Sequence, residues 1–418
     1  MLVFKFGGAS VKDAAGIINL SEIVRKYAGQ QLLIVVSAMG KTTNALENLT
    51  KAYVQQSDSL HQIFNEIKEY HVNIVQQLFE PNDQIFDDIE NTFVEIDWML
   101  EDEPHDDYDF IYDQIVSVGE LVSTRIVNAY LNKAGVKSKW LDVRGYIHTD
   151  NTYREGVVEW KKTCEHIQQD VPALLANQVV VTQGFLGGTS ENFTTTLGRE
   201  GSDYTAAIFA ACLKAESVTT WKDVPGVLNA DPKHFTDTVK FDHLSYTEAI
   251  EMTYYGAGVI HPKTIKPLQN AGIPLLVKPF NDPEAPGTVI SATAAAEFEK
   301  PVIIVKQEQI LLSVSAKDYG FISEQHLSAV FNCFAANHVK INTMQVSALS
   351  FSVCFDDKPG KFDNILQQLK QDFNVKYNTG LTLITVRHYH AEDLKHLTEN
   401  RKILLEQLSR NTAQFILS

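Results

Sequence analysis

Cysteine is scarce: Cys164, Cys212, Cys333 and Cys354 are the only four in 418 residues, with no CxxC pair and no zinc-like spacing to histidine. A structural zinc and a disulfide framework are therefore not expected, and the thiols are expected to be reduced in a cytoplasmic protein. No run of about eighteen apolar residues occurs, so no segment is expected to cross a membrane. The opening MLVFKFGGAS lacks the apolar core of a secretory leader and reads at once as a strand. Positive charge is also short, with 36 Lys and Arg against 52 Asp and Glu and a net charge of -16. That balance leaves no basic surplus for nucleic acid or an anionic membrane, although a local basic pocket could still hold an anionic ligand.

What is present is the make-up of an ordinary globular protein, 44% hydrophobic and 21% charged, in a chain long enough for two or three domains. Early on, LVFKF, a glycine turn, a helix to about Tyr27 and the apolar run QLLIVVSAMG alternate as buried parallel strands and crossover helices do. From Ala45 to about Ile115 the pattern is helical and acidic, and EDEPHDDYD reads as a solvated connection. The alternation then returns through SKWLDV, VVVTQGFLGG, SVTTWKDVPGVLNADP and GIPLLVKPF. A boundary is expected at 292–300, where SATAAAEFEKP loses the pattern of a core strand. Beyond it, ILLSVSA, SEQHLSAVFNCFAANH and SALSFSVCF make a strand, helix, strand unit. A shorter second unit reads as the strand LTLITVRHY, the helix AEDLKHLTENRKILLEQL and the strand NTAQFILS. Such α+β modules bind small effectors or dimerise.

Three strand ends carry polar groups suited to a charged ligand, two of them to an anion and the acid of the third to an ammonium. In KFGGAS, Lys5 closes on Gly7, Gly8 and a helix start, so backbone amides and one cation converge. It is not a P-loop, because the GxxxxGK[ST] pattern is absent. VVSAMGKTTN repeats the arrangement with Ser37 and Thr43, and SVGE puts Glu120 at another helix start. Each polar residue alone is equally a helix cap, but polar ends of neighbouring parallel strands line one crevice. In TTTLGREGSDYTAA, glycines flank Arg199 and Glu200 before a helix opening with Ser202 and Asp203, which suits either a cap or a carboxylate clamp. Asp223, after the strand of TTWKDVPG, is a turn residue or a nucleotide contact.

Taken together, KFGGAS, VVSAMGKTTN, SVGE, QGFLGGTSENFTTTLGREGSDYTAA, WKDVPGVLNADP and GAGVIHPKT resemble, in that order, the aspartate kinases of the amino-acid kinase family. The likeness runs from Leu2 to about Ile290, and the tail resembles the family's paired ACT modules. It implies a mainly parallel α/β amino-acid-kinase fold over 1–295 and ferredoxin-like α+β modules over 300–418, the second truncated. It further implies transfer of the ATP γ-phosphoryl group to the side-chain carboxylate of L-aspartate, with Mg²⁺ held through the phosphates rather than by protein ligands. Lys5 would then sit on the phosphates, Asp203 would hold Lys5, Arg199 would clamp a substrate carboxylate and Glu120 would take the ammonium. Ser37, Thr43, Phe185, Thr196 and Ser202 would complete the substrate wall. Gly7, Gly8, Lys222, Asp223, Leu228 and Lys233 would meet ATP. Other implications are a cytoplasmic homodimer joined through the tail and an amino-acid effector. Departures from the family pattern are Glu200 for a glycine, expected to point outward, Lys222 for threonine, Leu228 for tyrosine and Gly258 for lysine. In the tail, Gln325, His326 and Leu327 replace Gly-Phe-Leu, and Asn342 replaces an aspartate. Glu200, Leu228 and Gly258 motivate a different class of function, a catalytically weak amino-acid sensor on the kinase scaffold, whereas the tail departures weigh against feedback by lysine or threonine and leave dimerisation through the tail expected.

Overall fold

The computed structural model describes residues 1–258, 260–293, 300–318 and 320–418. Contacts group 1–227, 240–250 and the described part of 258–296 into one unit. The second unit takes 228–239, 251–257 and the described part of 297–418. The expected boundary falls largely on 294–299, outside the described residues.

In the first unit, β1 (Leu2–Phe6), α1 (Ala14–Arg25), β2 (Leu32–Val36), α2 (Thr42–Val54), α3 (Leu60–Leu78), α4 (Ile85–Glu101), α5 (Tyr108–Val116) and α6 (Val118–Lys133) follow one another. Next come β3 (Ser138–Leu141), α7 (Trp160–Leu175), β4 (Val179–Gln183), β5 (Leu186–Gly188), β6 (Thr194–Thr196), α8 (Gly201–Leu213) and β7 (Ser217–Lys222). The rest is β8 (His243–Ser245), α9 (Tyr246–Tyr255), whose second half is grouped with the second unit, α10 (Pro262–Ala271), β9 (Leu275–Pro279) and β10 (Thr288–Ser291). An eight-stranded sheet runs β3-β4-β2-β1-β7-β9-β10-β8, parallel throughout except where β10 meets β9. All five residues of β2, LLIVV, are buried, as expected for a central parallel strand covered on both faces. In the core Phe4 meets Trp221 and Phe6 meets Phe280 edge to face, while Phe6 stacks on Trp221. Register aligns Phe6 with Val36 and Trp221, and Val36 with Gln183, so β4, β2, β1 and β7 all end along one edge.

The second unit holds β11 (Val302–Ala316), α11 (Glu324–Ala336), β12 (Ile341–Val346), β13 (Phe351–Asp356), α12 (Lys361–Asp372), β14 (Phe373–Arg387), α13 (Ala391–Thr398), β15 (Ile403–Leu408) and β16 (Thr412–Leu417). They form one antiparallel six-stranded sheet, β12-β13-β11-β14-β16-β15. AEDLKHLTENRKILLEQL is not one helix, because α13 stops at Thr398 and residues 403–408 become β15, paired with β16. Good helix formers in ILLEQL are overridden by pairing with the chain's last strand.

The cysteine expectation is corrected too. Cys164 of α7 and Cys212 of α8 form a disulfide across 48 residues, while Cys333 and Cys354 are free and buried. Their wide spacing concealed the packing of the two helices that brings them together.

Candidate active site

The site is built at the carboxyl edge of the large sheet, where each strand hands its chain to a polar turn. After β1 the chain makes a short turn of helix at 8–11. A Cβ on Gly8 would lie 2.6 Å from the Ala38 carbonyl oxygen, so only glycine lets this turn lie against the end of β2. A Cβ on Gly7 would stand 3.5 Å from Lys5 Nζ, which places the ammonium beside the glycine turn.

Lys5 and Asp203 are nearly fully buried, and Nζ donates to Asp203 Oδ2 at 2.8 Å. The other oxygen of Asp203 accepts from Thr220 Oγ1 at 3.2 Å. Burial would raise the Asp203 carboxyl pKa, but Lys5, Lys222 and these hydrogen bonds outweigh it and hold the pKa below the usual carboxylate range. The pair is therefore a fixed charge couple and Asp203 is poorly suited to act as a base.

Glu120 lies in the first turn of α6, docked against the chain that leaves β2. Gly119 permits this, since a Cβ there would come within 3.2 Å of Ala38, Leu46 and Thr42. Ser123 donates to the Ser37 carbonyl at 2.7 Å, and the Ala38 amide donates to Glu120 Oε1 at 3.2 Å. Oε2 is buried with no partner among the described residues. Burial pushes this carboxyl up to about 8, only partly offset by the Ala38 amide. A buried carboxylate with one unanswered oxygen is a receptor for a cation.

Phe185 and Ser202 meet where β4 ends and α8 begins. A Cβ on Gly184 would fall 2.3 Å from Ser202 Cβ, and one on Gly201 would fall 2.6 Å from the Phe185 ring. These glycines bring the two segments into contact, and Phe185, at φ 70°, is fixed by donation from its amide to Thr205 Oγ1. Thr196 is fully buried at the end of β6, and its hydroxyl donates to Asp113 at 2.7 Å. Thr43 sits half-buried in the first turn of α2. Arg199 is exposed and forms no ion pair among the described residues. Glu200 departs from its expected outward pose: its backbone is left-handed at φ 54° and its Oε2 is buried with no partner among the described residues.

Asp223, exposed just past β7, lines a cavity of about 390 Å³ with Ser10, Lys12, Asn19 and Asn281. Lys222 is half-buried beside it and adds positive potential at Asp203. Leu228 and Lys233 are grouped with the second unit.

The sequence matches the model of the amino acid kinase family over residues 1–279. It is 32% identical over 378 residues to Aspartokinase 3, chloroplastic, of Arabidopsis thaliana, covering 86% of this chain and 65% of that one. With Aspartokinase 1, chloroplastic, of the same plant, identity is 30% over 413 residues, covering 92% and 70%. The crystal structure of E. coli aspartokinase III in complex with aspartate and ADP superposes with a TM-score of 0.85 at 27% identity, covering 100% of this chain and 96% of that one. This chain belongs to the amino acid kinase family, and within it to the aspartokinases. It spans about two thirds of the length of the Arabidopsis relatives.

For an aspartokinase sequence, the acidic stretch before α5 is deceptive. Residues 102–107 are indeed a connection, yet Asp113, a few residues on, is wholly buried and accepts from Arg154 N, Thr196 N and Thr196 Oγ1 at 2.7 to 2.8 Å. Its place in the apolar face of FIYDQIV was the available signal. In the second unit, Asn342 accepts from Lys306 Nζ at 2.8 Å and donates to Gln309 at 2.8 Å and Asp356 at 2.9 Å. His326 completes a capping box with Ser323 at the start of α11.

Proposed function

We propose that this aspartokinase transfers the γ-phosphoryl group of ATP to the side-chain carboxylate of L-aspartate, giving 4-phospho-L-aspartate and ADP. This is the entry step to lysine, threonine and methionine synthesis. The observation that carries the reading is the unanswered, buried oxygen of Glu120, on the same sheet edge as the Lys5 and Asp203 couple. A cation-seeking carboxylate beside an anion-seeking lysine and glycine turn matches an ammonium-bearing acceptor and a phosphate donor.

In this mechanism Lys5 stabilises charge on the transferring group, while Asp203 fixes the Lys5 ammonium in place. Gly7 and Gly8 admit the phosphates to the backbone. Arg199, with no ion-pair partner among the described residues, clamps a carboxylate of aspartate bidentately. Ser37, Thr43, Phe185, Thr196 and Ser202 close the acceptor pocket, and Lys222 and Asp223 are assigned to the nucleotide. The aspartate carboxylate is already ionised, so no general base is required and Asp203 orients rather than abstracts. Mg²⁺ would supply charge neutralisation on the β and γ phosphates. Among the described residues no three His, Cys, Asp or Glu converge, and Asp203 is already engaged, so the metal would be carried on the phosphates. Residues 1–295 are assigned to catalysis and 300–418 to dimerisation and effector binding in the cytoplasm. The uncovered edge strand β12 and exposed Met344, Val346 and Leu349 support the dimer assignment.

The test is formation of aspartyl hydroxamate from Mg·ATP, L-aspartate and hydroxylamine. A folded protein that binds aspartate and makes no hydroxamate would fit the sensor reading, which the inward Glu200 oxygen favours.

A further inference from the structure

Strand β6 is three residues long, with one edge paired to β5 and the other unaccompanied by any strand among the described residues. Side chains of α5 close that second edge. Gln114 accepts from the Thr194 amide at 3.1 Å and donates to the Thr194 carbonyl at 2.8 Å, as a neighbouring strand would. Asp113 Oδ2 accepts from the Thr196 amide at 2.8 Å, and the Gly156 amide donates to the Thr196 carbonyl at 2.8 Å. The same Oδ2 accepts from the amide of Arg154, a residue held at φ 67°.

The remaining bond has a different character, because it joins two side chains. Thr196 Oγ1 donates to Asp113 Oδ1 at 2.7 Å. An ionised carboxylate can only accept, so the one hydroxyl hydrogen of Thr196 is committed to Asp113. Toward anything else the hydroxyl presents only lone pairs. Its complement in a ligand is a donor, and for an amino acid that donor is the ammonium.

We infer that Asp113 is a positioning residue of the acceptor site, which makes Thr196 an acceptor-only group and so selects an amino acid over its des-amino analogue. This rests on the reading that Thr196 lines the aspartate pocket. Asp113 and Thr196 are both wholly buried, and Asp113, whose oxygens are taken up by Arg154 N, Thr196 N and Thr196 Oγ1, acts through Thr196.

Asp113→Asn separates this role from edge closure. The amide oxygen can take the place of Oδ2 and keep both backbone bonds, while the amide nitrogen replaces Oδ1 and donates to Thr196. The hydroxyl must then turn its hydrogen outward. The expected result is an aspartate KM raised about tenfold, the scale of one reversed hydrogen bond to a charged group. The ATP KM, kcat and melting temperature stay near wild type, and the preference for aspartate over succinate as a competing ligand shrinks by a similar factor. Thr196→Val raises the aspartate KM as well, and the double variant is no worse than Thr196→Val alone. The inference is overturned if Asp113→Asn leaves the aspartate KM and the succinate discrimination unchanged. It is equally overturned if the two effects multiply, or if both KM values rise together with a loss of thermal stability. If the wild type makes no hydroxamate, the function reading fails. Calorimetry of aspartate and succinate on wild type and Asp113→Asn then still decides the inference, and absence of aspartate binding overturns it.

Discussion

Replacing Glu120 by Gln tests the site where its electrostatics are most unusual. The carboxyl is raised from an ordinary 4.5 to about 8 by burial. Between those values the native protein holds a proton that the unfolded chain has released. Stability contributed by this group is thus complete below about pH 4.5 and is lost as pH rises toward 8. At about 1.4 kcal/mol per pH unit the full loss is on the order of 5 kcal/mol. Gln keeps the acceptor for the Ala38 amide and cannot ionise. Urea unfolding from about pH 5 to 8.5 should therefore show the variant gaining several kcal/mol on wild type toward the alkaline end. Aspartate binding should move the other way, because an ammonium stabilises the ionised carboxylate and Gln offers no charge. An aspartate KM raised by about 100-fold corresponds to roughly 3 kcal/mol, within the range for a buried charge contact. At pH 7, calorimetry in buffers of different ionisation enthalpy should show about one proton released from wild type on aspartate binding and none from the variant. An aspartate KM within threefold of wild type, or a stability difference that stays flat with pH, would refute the reasoning.

Lys5→Ala should lower hydroxamate formation by about 10³-fold. It should also cost about 3–5 kcal/mol in urea unfolding, since it strands the buried Asp203 carboxylate; full activity would remove Lys5 from the mechanism. Glu200→Gly should raise unfolding free energy by about 1 kcal/mol, by relieving a left-handed backbone. A loss of stability on that change would show that the buried Glu200 oxygen has a partner in solution. Changing Cys164 and Cys212 together to serine should lower unfolding free energy by about 2–4 kcal/mol against the oxidised protein, a gap that should close when both are measured with reductant.

The parallel core was legible because LVFKF and QLLIVV are apolar runs ending in glycine or polar turns, and local pattern is enough to read a buried strand. The glycine turn beside Lys5 was legible for the same reason. ILLEQL misled because it follows a helical pattern, and its strand state comes from pairing with β16, which no local window contains. Asp113 was hidden by the acidic stretch just before it, which invites a solvated reading. The disulfide was hidden because its partners lie 48 residues apart on separate helices.

The sequence by itself determined which strand ends carry glycine, lysine, serine and glutamate, and hence that an anion and an amino acid suit this protein. Only the tertiary structure decided which of those groups meet and in what charge state. Lys5 and Asp203 are 198 residues apart and become a couple solely because β1 and α8 pack at one edge. Glu120 reads as an ordinary helix-start acid until α6 buries it against the end of β2. Residue type is local, whereas pairing and burial are properties of the whole packed chain, and they set the proton on Glu120 and the charge on Asp203.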